Sequence, residues 1–359
     1  MRALLALAAL ALAGPAAAQG EQQAQALARA DAASRTRVES ALQDAGFAGV
    51  YSVYQGPRRI AGGGIGQPVK DQPGAFTYES VWPWASVTKQ VVATLAMQEV
   101  DAGRLALDVS ASRYLPSLGA NAPTLRQLLQ HRAGLRNPDD SARNAGGEPS
   151  FYTNGETGLG WCLKGRTVPG GQWRYNNCDY IVVGALLERT TRLALPDLFQ
   201  QRIAGPLGLA THFVTPEPAT VDERWTGGPD ATERATLLRY GAAGGLVGTA
   251  ADMAGFDRAL LSGELLSQPA LDAMWVGDAK LGYMALGQWV FTAPLKGCAA
   301  PVRIVERRGG IGRFQVRNVV LPDKGIVIAL MTNRGDYDFG EIWQGKGPSY
   351  SILSAAACA

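Results

Sequence analysis

Few side chains in this sequence combine a type and a spacing that could make and break covalent bonds. One local pair stands out, Ser86 and Lys89, within Ser86-Val87-Thr88-Lys89. On a helix, positions i and i+3 share a face, so the lysine amine reaches the serine hydroxyl without help from distant sequence. A serine hydroxyl is a weak nucleophile, and an amine kept neutral by burial or by another cation can take its proton. The residues around the pair are apolar, which supplies the burial. A serine at the start of that helix would also meet the helix dipole and free N–H groups where negative charge develops. About one S-x-x-K is expected by chance in a chain of this length, so the pair needs company. Tyr175 and Asn177 provide it, in Pro169-Gly170-Gly171-Gln172-Trp173-Arg174-Tyr175-Asn176-Asn177 ahead of an apolar helix. A phenol can relay a proton and an amide can hold a carbonyl. Tyr152-Thr153-Asn154 repeats the spacing in a polar, glycine-rich stretch that reads as loop with no helix behind it, so Tyr175 is the expected participant.

Other chemistries find little support. With only 2 histidines and no G-x-S-x-G elbow, a Ser-His-Asp hydrolase is disfavoured. His131, at the end of a helical segment, reads as a packed or capping residue, and His212 as loop surface. There is no H-E-x-x-H and no zinc-like cysteine spacing, so no metal and no organic cofactor is expected. The stretch Gly340-Glu341-Ile342-Trp343-Gln344-Gly345-Lys346-Gly347 approaches a phosphate-binding loop but lacks the final Ser or Thr. Charge is near balance, 34 Lys+Arg against 31 Asp+Glu, with no basic run to track a phosphate backbone, so nucleic acid is not an expected partner.

The elements that must position these groups follow from the hydrophobic pattern. The chain has 359 residues, 47% of them hydrophobic, enough for a substantial core. Met1-Arg2, an apolar run and Ala16-Ala17-Ala18 have the three-part pattern of a secretory signal, with cleavage expected near Ala18. No later stretch is long and apolar enough to span a bilayer, so an exported protein, periplasmic or secreted, with no stable membrane span is expected. Export permits disulfides among Cys162, Cys178, Cys298 and Cys358. Of the three pairings, Cys162 with Cys178 is favoured because Pro169-Gly170-Gly171 lets the intervening loop double back, leaving Cys298 with Cys358. Residues 21–44 read as a surface helix, and residues 50–54 and 58–61 as a hairpin around Gln55-Gly56-Pro57. The cluster Gly62-Gly63-Gly64-Ile65-Gly66 reads as loop. A buried helix follows from Ser86, then short helices to about residue 206, and a capped helix begins at Thr249. Strands return at residues 302–307, 316–321 and 326–331, the last two joined by the turn Pro322-Asp323-Lys324-Gly325. This predicts an α/β chain of the α+β type: an antiparallel sheet built from both chain ends and flanked by helices, with a mostly helical insertion. The expected division is a signal at 1–18, a sheet domain from 19–104 and 241–359, and a helical domain at 105–240.

Taken together, these segments resemble the serine β-lactamase and penicillin-binding protein superfamily, in its class C-like branch. The resemblance rests on Trp84-Ala85-Ser86-Val87-Thr88-Lys89, residues 125–135 (LRQLLQHRAGL), the Pro-Gly…Tyr-x-Asn segment, Pro206-Leu207-Gly208-Leu209 and Ala243-Gly244-Gly245-Leu246-Val247. It implies Ser86 as acylated nucleophile, Lys89 as its activating partner, Tyr175 as general base and acid, and Asn177 as substrate amide-binder. It also implies a third motif, usually Lys-Thr-Gly or His-x-Gly, on a strand beside the nucleophile. The best match is Arg307-Arg308-Gly309-Gly310, a departure from the pattern. Arg307 keeps a positive charge that could bind a substrate carboxylate or lower the Tyr175 pKa, but it cannot shuttle a proton. Arg308 should point to the other face of the strand, and a one-residue slip would exchange the two. Gly309 and Gly310 would let substrate backbone approach, with the Gly310 N–H joining that of Ser86 as an oxyanion hole. The function so implied is an exported serine hydrolase acting through an acyl-enzyme on a small-molecule, peptide or ester substrate. D-alanyl peptidase or esterase activity is favoured over antibiotic hydrolysis. The competing reading is a non-catalytic binder on the same fold, with the two arginines blocking or repurposing the pocket.

Overall fold

The β-rich ends of the chain come together in one sheet. The computed structural model describes residues 15–66, 75–216 and 231–358. Most of the expected leader, residues 1–14, therefore lies outside the described residues. Helix α1 (Pro15–Asp44) leads through a turn at Gly46, whose positive φ of 62° suits glycine, into the hairpin β1 (Gly49–Gln55) and β2 (Arg58–Ile65). Next come β3 (Trp82–Pro83) and α2 (Thr88–Asp101). A run of mostly short helices follows: α3 (Leu125–Leu129), α4 (Ser150–Thr153), α5 (Gly158–Cys162), α6 (Asn177–Thr191), α7 (Leu195–Phe199) and α8 (Gly205–Leu207). After β4 (His212–Phe213) come α9 (Ala231–Tyr240), β5 (Leu246–Gly248), α10 (Ala250–Leu261) and α11 (Gln268–Met274). The chain closes with β6 (Trp289–Ala293), β7 (Val302–Ile311), β8 (Phe314–Leu321), β9 (Ile326–Thr332) and α12 (Pro348–Ala357).

The main sheet is antiparallel in the order β2-β1-β9-β8-β7-β6, so strands from both ends of the chain share it. Its centre, β9, is buried along its whole length. Side chains alternate across a strand, and both faces here are covered, which is why Ile326–Thr332 reads as unbroken apolar sequence. Val327, Ala329 and Met331 pack into the core shared with α2, α6 and α10, while Ile326, Ile328 and Leu330 pack towards α1 and α12. Helix α2 is buried nearly all round, as its continuous apolar pattern predicts.

Two expectations need correction. Gly62, Gly63 and Gly64 are not loop but strand, paired with Ser52, Tyr51 and Val50. Their lack of side chains admits the chain that crosses them: a Cβ on Gly64 would lie 2.0 Å from the Phe76 carbonyl oxygen, and one on Gly62 would lie 2.7 Å from the Tyr78 ring. His212 has an exposed side chain, yet its backbone belongs to a small second sheet, β3-β5-β4, where it pairs with Val247. Among the described residues, no helix is long and apolar enough to cross a membrane, and no cluster of His, Cys, Asp or Glu could hold a metal ion.

Candidate active site

Ser86 occupies a single 3-10 turn, Ala85–Val87, that runs directly into α2. The turn is tight: Ala85 sits at φ 47°, a region that residues with a Cβ seldom adopt, and β7 presses against it. Gly309 permits this contact, since a Cβ there would lie 2.6 Å from the Trp84 carbonyl oxygen and 3.2 Å from the Ala85 Cβ. What approaches Gly309 is therefore the nucleophile's own turn, which corrects the expectation of substrate backbone at that residue. Gly310 is more open, and an added Cβ would meet only the side chain of Gln315.

Lys89 lies one helical turn on and is fully buried. Its Nζ is 2.7 Å from Asn177 Oδ1, 2.6 Å from the Ala243 carbonyl oxygen and 3.1 Å from Ser86 Oγ. Burial pushes its pKa well below the usual lysine value, and the Arg307 charge adds to that effect. A neutral amine has two N–H groups and one lone pair. Asn177 Oδ1 and the Ala243 carbonyl can only accept, so in the neutral form of Lys89 they take both N–H groups and the lone pair is left for the Ser86 hydroxyl. Tyr175 OH lies 2.5 Å from Ser86 Oγ on the other side. Desolvation raises the Tyr175 pKa, outweighing the lowering by Arg307 and by the bond to Ser86. Burial thus favours the neutral phenol, and either hydroxyl can donate across the contact between Tyr175 and Ser86.

Asn177 begins α6, which is capped by the Asn176 side chain accepting from the Cys178 N–H at 2.9 Å. A disulfide between Cys178 and Cys162 ties this first turn to α5, and Cys298 pairs with Cys358, the pairing favoured from sequence. The amide orientation of Asn177 is set by Tyr152, whose hydroxyl accepts from Nδ2 at 2.7 Å. Tyr152 is buried on the short helix α4 and stacks on Tyr240 with ring centroids 4.0 Å apart. Its reading as loop residue is thereby corrected: tertiary packing brings it to Asn177 although no local pattern marks it. The Ala243 carbonyl was also unmarked, because a backbone acceptor leaves no side-chain signal.

The two arginines point opposite ways. Arg307 is 1% exposed, and its Nε donates to the Ser86 carbonyl oxygen at 2.9 Å. Its guanidinium lies 5.6 Å from the Tyr175 ring centroid and 5.2 Å from that of Trp289, and neither terminal nitrogen has a hydrogen-bond partner. Arg308 faces away and donates to Glu306 and Glu341. Behind this arrangement lies a buried polar knot: Asp257 Oδ1 accepts from Gln90 Nε2 at 3.3 Å and Asn318 Nδ2 at 3.0 Å. Burial pushes the Asp257 carboxyl up to about 8. Asn318 is the cross-strand neighbour of Arg307, and Gln90 follows Lys89, so the knot sits under the site.

A fold in which a serine at a helix start meets a buried lysine, a tyrosine and a strand-borne cation is that of the serine β-lactamases and transpeptidases. The chain matches the Beta-lactamase family over residues 21–344 and belongs to that family. Relatives include a D-aminopeptidase of Cereibacter sphaeroides, 32% identical over 37% of this chain and 26% of the relative. Another is the D-alanyl-D-alanine-carboxypeptidase/endopeptidase AmpH of Escherichia coli, 25% identical over 71% of each chain. This chain thus spans about a quarter of the D-aminopeptidase's length. Among solved structures, a D-amino acid amidase from Ochrobactrum anthropi complexed with D-phenylalanine superposes with a TM-score of 0.71 at 20% identity, covering 90% of this chain and 98% of the amidase. At that identity the likeness establishes the fold.

Proposed function

We propose that the protein is an exported serine hydrolase that forms and then hydrolyses an acyl-enzyme at Ser86, acting on the amide or ester bond of a small molecule or peptide. The observation that carries this reading is the set of three neighbours around Lys89 Nζ, two of which can only accept. Ser86 Oγ attacks the substrate carbonyl while its proton passes to Lys89, and the Ser86 and Gly310 N–H groups receive the developing oxyanion. Tyr175, holding its proton beside Oγ, gives it to the leaving nitrogen or oxygen and recovers one from Lys89. Water then attacks the ester by the reverse proton path and frees the acid. Arg307 supplies positive charge from within, and the placement of Arg308 on the opposite face argues against a pocket blocked by both arginines.

The names of the relatives, D-aminopeptidase and D-alanyl-D-alanine-carboxypeptidase/endopeptidase, support a peptide or amide with a D-residue as the substrate class ahead of a β-lactam antibiotic. Two disulfides and the leader-like first residues support export. In this reading the site lies where the sheet domain, 19–104 with 241–359, meets the helical domain at 105–240. The test is turnover of chromogenic D-alanyl amides, short-chain esters and a cephalosporin. The reading expects D-amide or ester turnover that Ser86→Ala abolishes, whereas turnover of none, with no covalent adduct, would favour a binder.

A further inference from the structure

Behind Tyr175 lies a buried acid and imidazole that the proposed proton path does not use. The ring centroid of His131 is 4.7 Å from that of Tyr175 and 5.4 Å from that of Tyr180. Asp179 Oδ2 lies 3.3 Å from His131 Nδ1, and the two side chains are 1% and 0% exposed respectively. At first sight this is an ion pair. Hydrogen-bond accounting argues otherwise, because the backbone N–H of Asn176 donates to the same Nδ1 at 3.3 Å. A nitrogen that accepts there carries no proton of its own. Two further atoms are orphaned: His131 Nε2 and Asp179 Oδ1 have no hydrogen-bond partner.

We propose that Asp179 retains a proton at neutral pH and directs it from Oδ2 at the His131 Nδ1 lone pair, which it shares with the Asn176 N–H, so that the two side chains form a neutral couple that positions Tyr175 from behind and places no negative charge beside Lys89. The alternative, an imidazolium facing a carboxylate, would set the Asn176 N–H against a second N–H. It would also place a cation near Arg307, a buried charge that already opposes protonation of His131. The cations facing the couple oppose an imidazolium, and a charged Lys89 would pull Asp179 towards its carboxylate, against the burial that favours the acid. From α2 comes Lys89 and from β7 comes Arg307; Tyr175 and Tyr180 pack on the ring. On the outer side a polar cavity of about 350 Å³ is bordered by Arg132, Arg136, Arg174 and Asp140. Arg132 is engaged by the carbonyls of Gly170 and Gly171, Arg174 by Asp140, and Arg136 lies over Trp161, so none serves Asp179 as a partner. Burial favours the protonated form of Asp179. An ionised Asp179 would instead stabilise the ammonium form of Lys89 and remove the lone pair that the proposed function requires, so the couple deepens that reading and rests on it.

The test reads the proton directly, by the infrared C=O stretch of protonated carboxyl groups in the full-length protein at pH 7. Among the described residues, Asp179 and Asp257 are the aspartates buried without a cation, whereas the buried Glu99 and Glu306 have arginine partners. Asp257→Asn should leave a protonated-carboxyl band, and Asp179→Asn should remove that contribution. In Asp179→Asn the acid limb of the kcat/KM profile should stay where it is in wild type, whatever the change in its height. Absence of the band in Asp257→Asn would overturn the proposal, and this arm needs no folded Asp179 variant. An acid limb displaced to lower pH in Asp179→Asn would likewise overturn it, since a lost carboxylate lowers the Lys89 pKa. The infrared band does not depend on turnover, so a failure of the proposed function leaves it readable.

Discussion

Tyr152→Phe removes one oxygen atom more than one residue away from the nucleophile and should nevertheless slow acylation. In the native arrangement the Tyr152 hydroxyl accepts from Asn177 Nδ2 at 2.7 Å, which leaves Oδ1 to face Lys89 Nζ, also at 2.7 Å. Loss of the hydroxyl strands a buried N–H, a penalty of about 1–3 kcal/mol. The amide can escape that penalty only by turning Nδ2 towards Lys89, whose lone pair must then leave Ser86. Either the strained native orientation or the flipped one costs activated enzyme. The native preference falls by roughly one buried neutral hydrogen bond, about 1–2 kcal/mol, or between five- and thirtyfold in rate. The ring itself, stacked on Tyr240, stays in place, so the fold should hold. The assay is the rate of covalent labelling by a fluorophosphonate, followed by intact mass, alongside the melting temperature. A labelling rate within twofold of wild type in a folded Tyr152→Phe protein would refute the idea that Tyr152 orients Asn177.

Other consequences concern charge and stability. Arg307→Met removes a cation that lowers the Lys89 pKa, so the acid limb of kcat/KM should move to higher pH; an unmoved limb would detach Arg307 from Lys89. Asp257, raised from 3.8 to about 8, binds its proton more tightly in the folded than in the unfolded chain. Between those values the native state holds more protons, so this residue makes stability fall as pH rises, by about 1.4 kcal/mol per unit. Asp257→Asn should therefore melt close to wild type near pH 4 and clearly higher near pH 8, and equal melting temperatures at both would contradict the burial argument. The Cys162–Cys178 bridge closes a loop with a sequence separation of 16. Replacing both cysteines by serine should cost about 3 kcal/mol on the chain-entropy account, read from denaturant midpoints.

The parts of the site that were legible in sequence are those built by local geometry. Ser86 and Lys89 are three residues apart across a 3-10 turn that runs into α2, and Tyr175 and Asn177 lie at the entrance of an apolar helix, so local spacing and context brought each pair into view. The alternation of a strand likewise separates Arg307 from Arg308. The sheet was readable because its hairpins are short and its central strand is continuously apolar. Tertiary approach was not readable. Tyr152 looks like a loop residue until α4 and α9 pack together, and the Ala243 carbonyl is invisible to any reading of side chains. Glycines were ambiguous for the same reason. Gly64 and Gly309 each make room for a distant stretch of main chain, Phe76 in one case and Trp84 in the other, so their composition signalled looseness where the fold uses closeness.

The central claim is that Ser86 is acylated with Lys89 as the acceptor of its proton. Intact mass after incubation with a fluorophosphonate at pH 7 tests it most directly, on wild type, Ser86→Ala and Lys89→Met. The account predicts a single adduct on Ser86 in wild type, none in Ser86→Ala, and labelling slowed by a hundredfold or more in Lys89→Met, on the order of what an activating base supplies. An adduct on another residue, or a Lys89→Met protein labelled as fast as wild type, would contradict it.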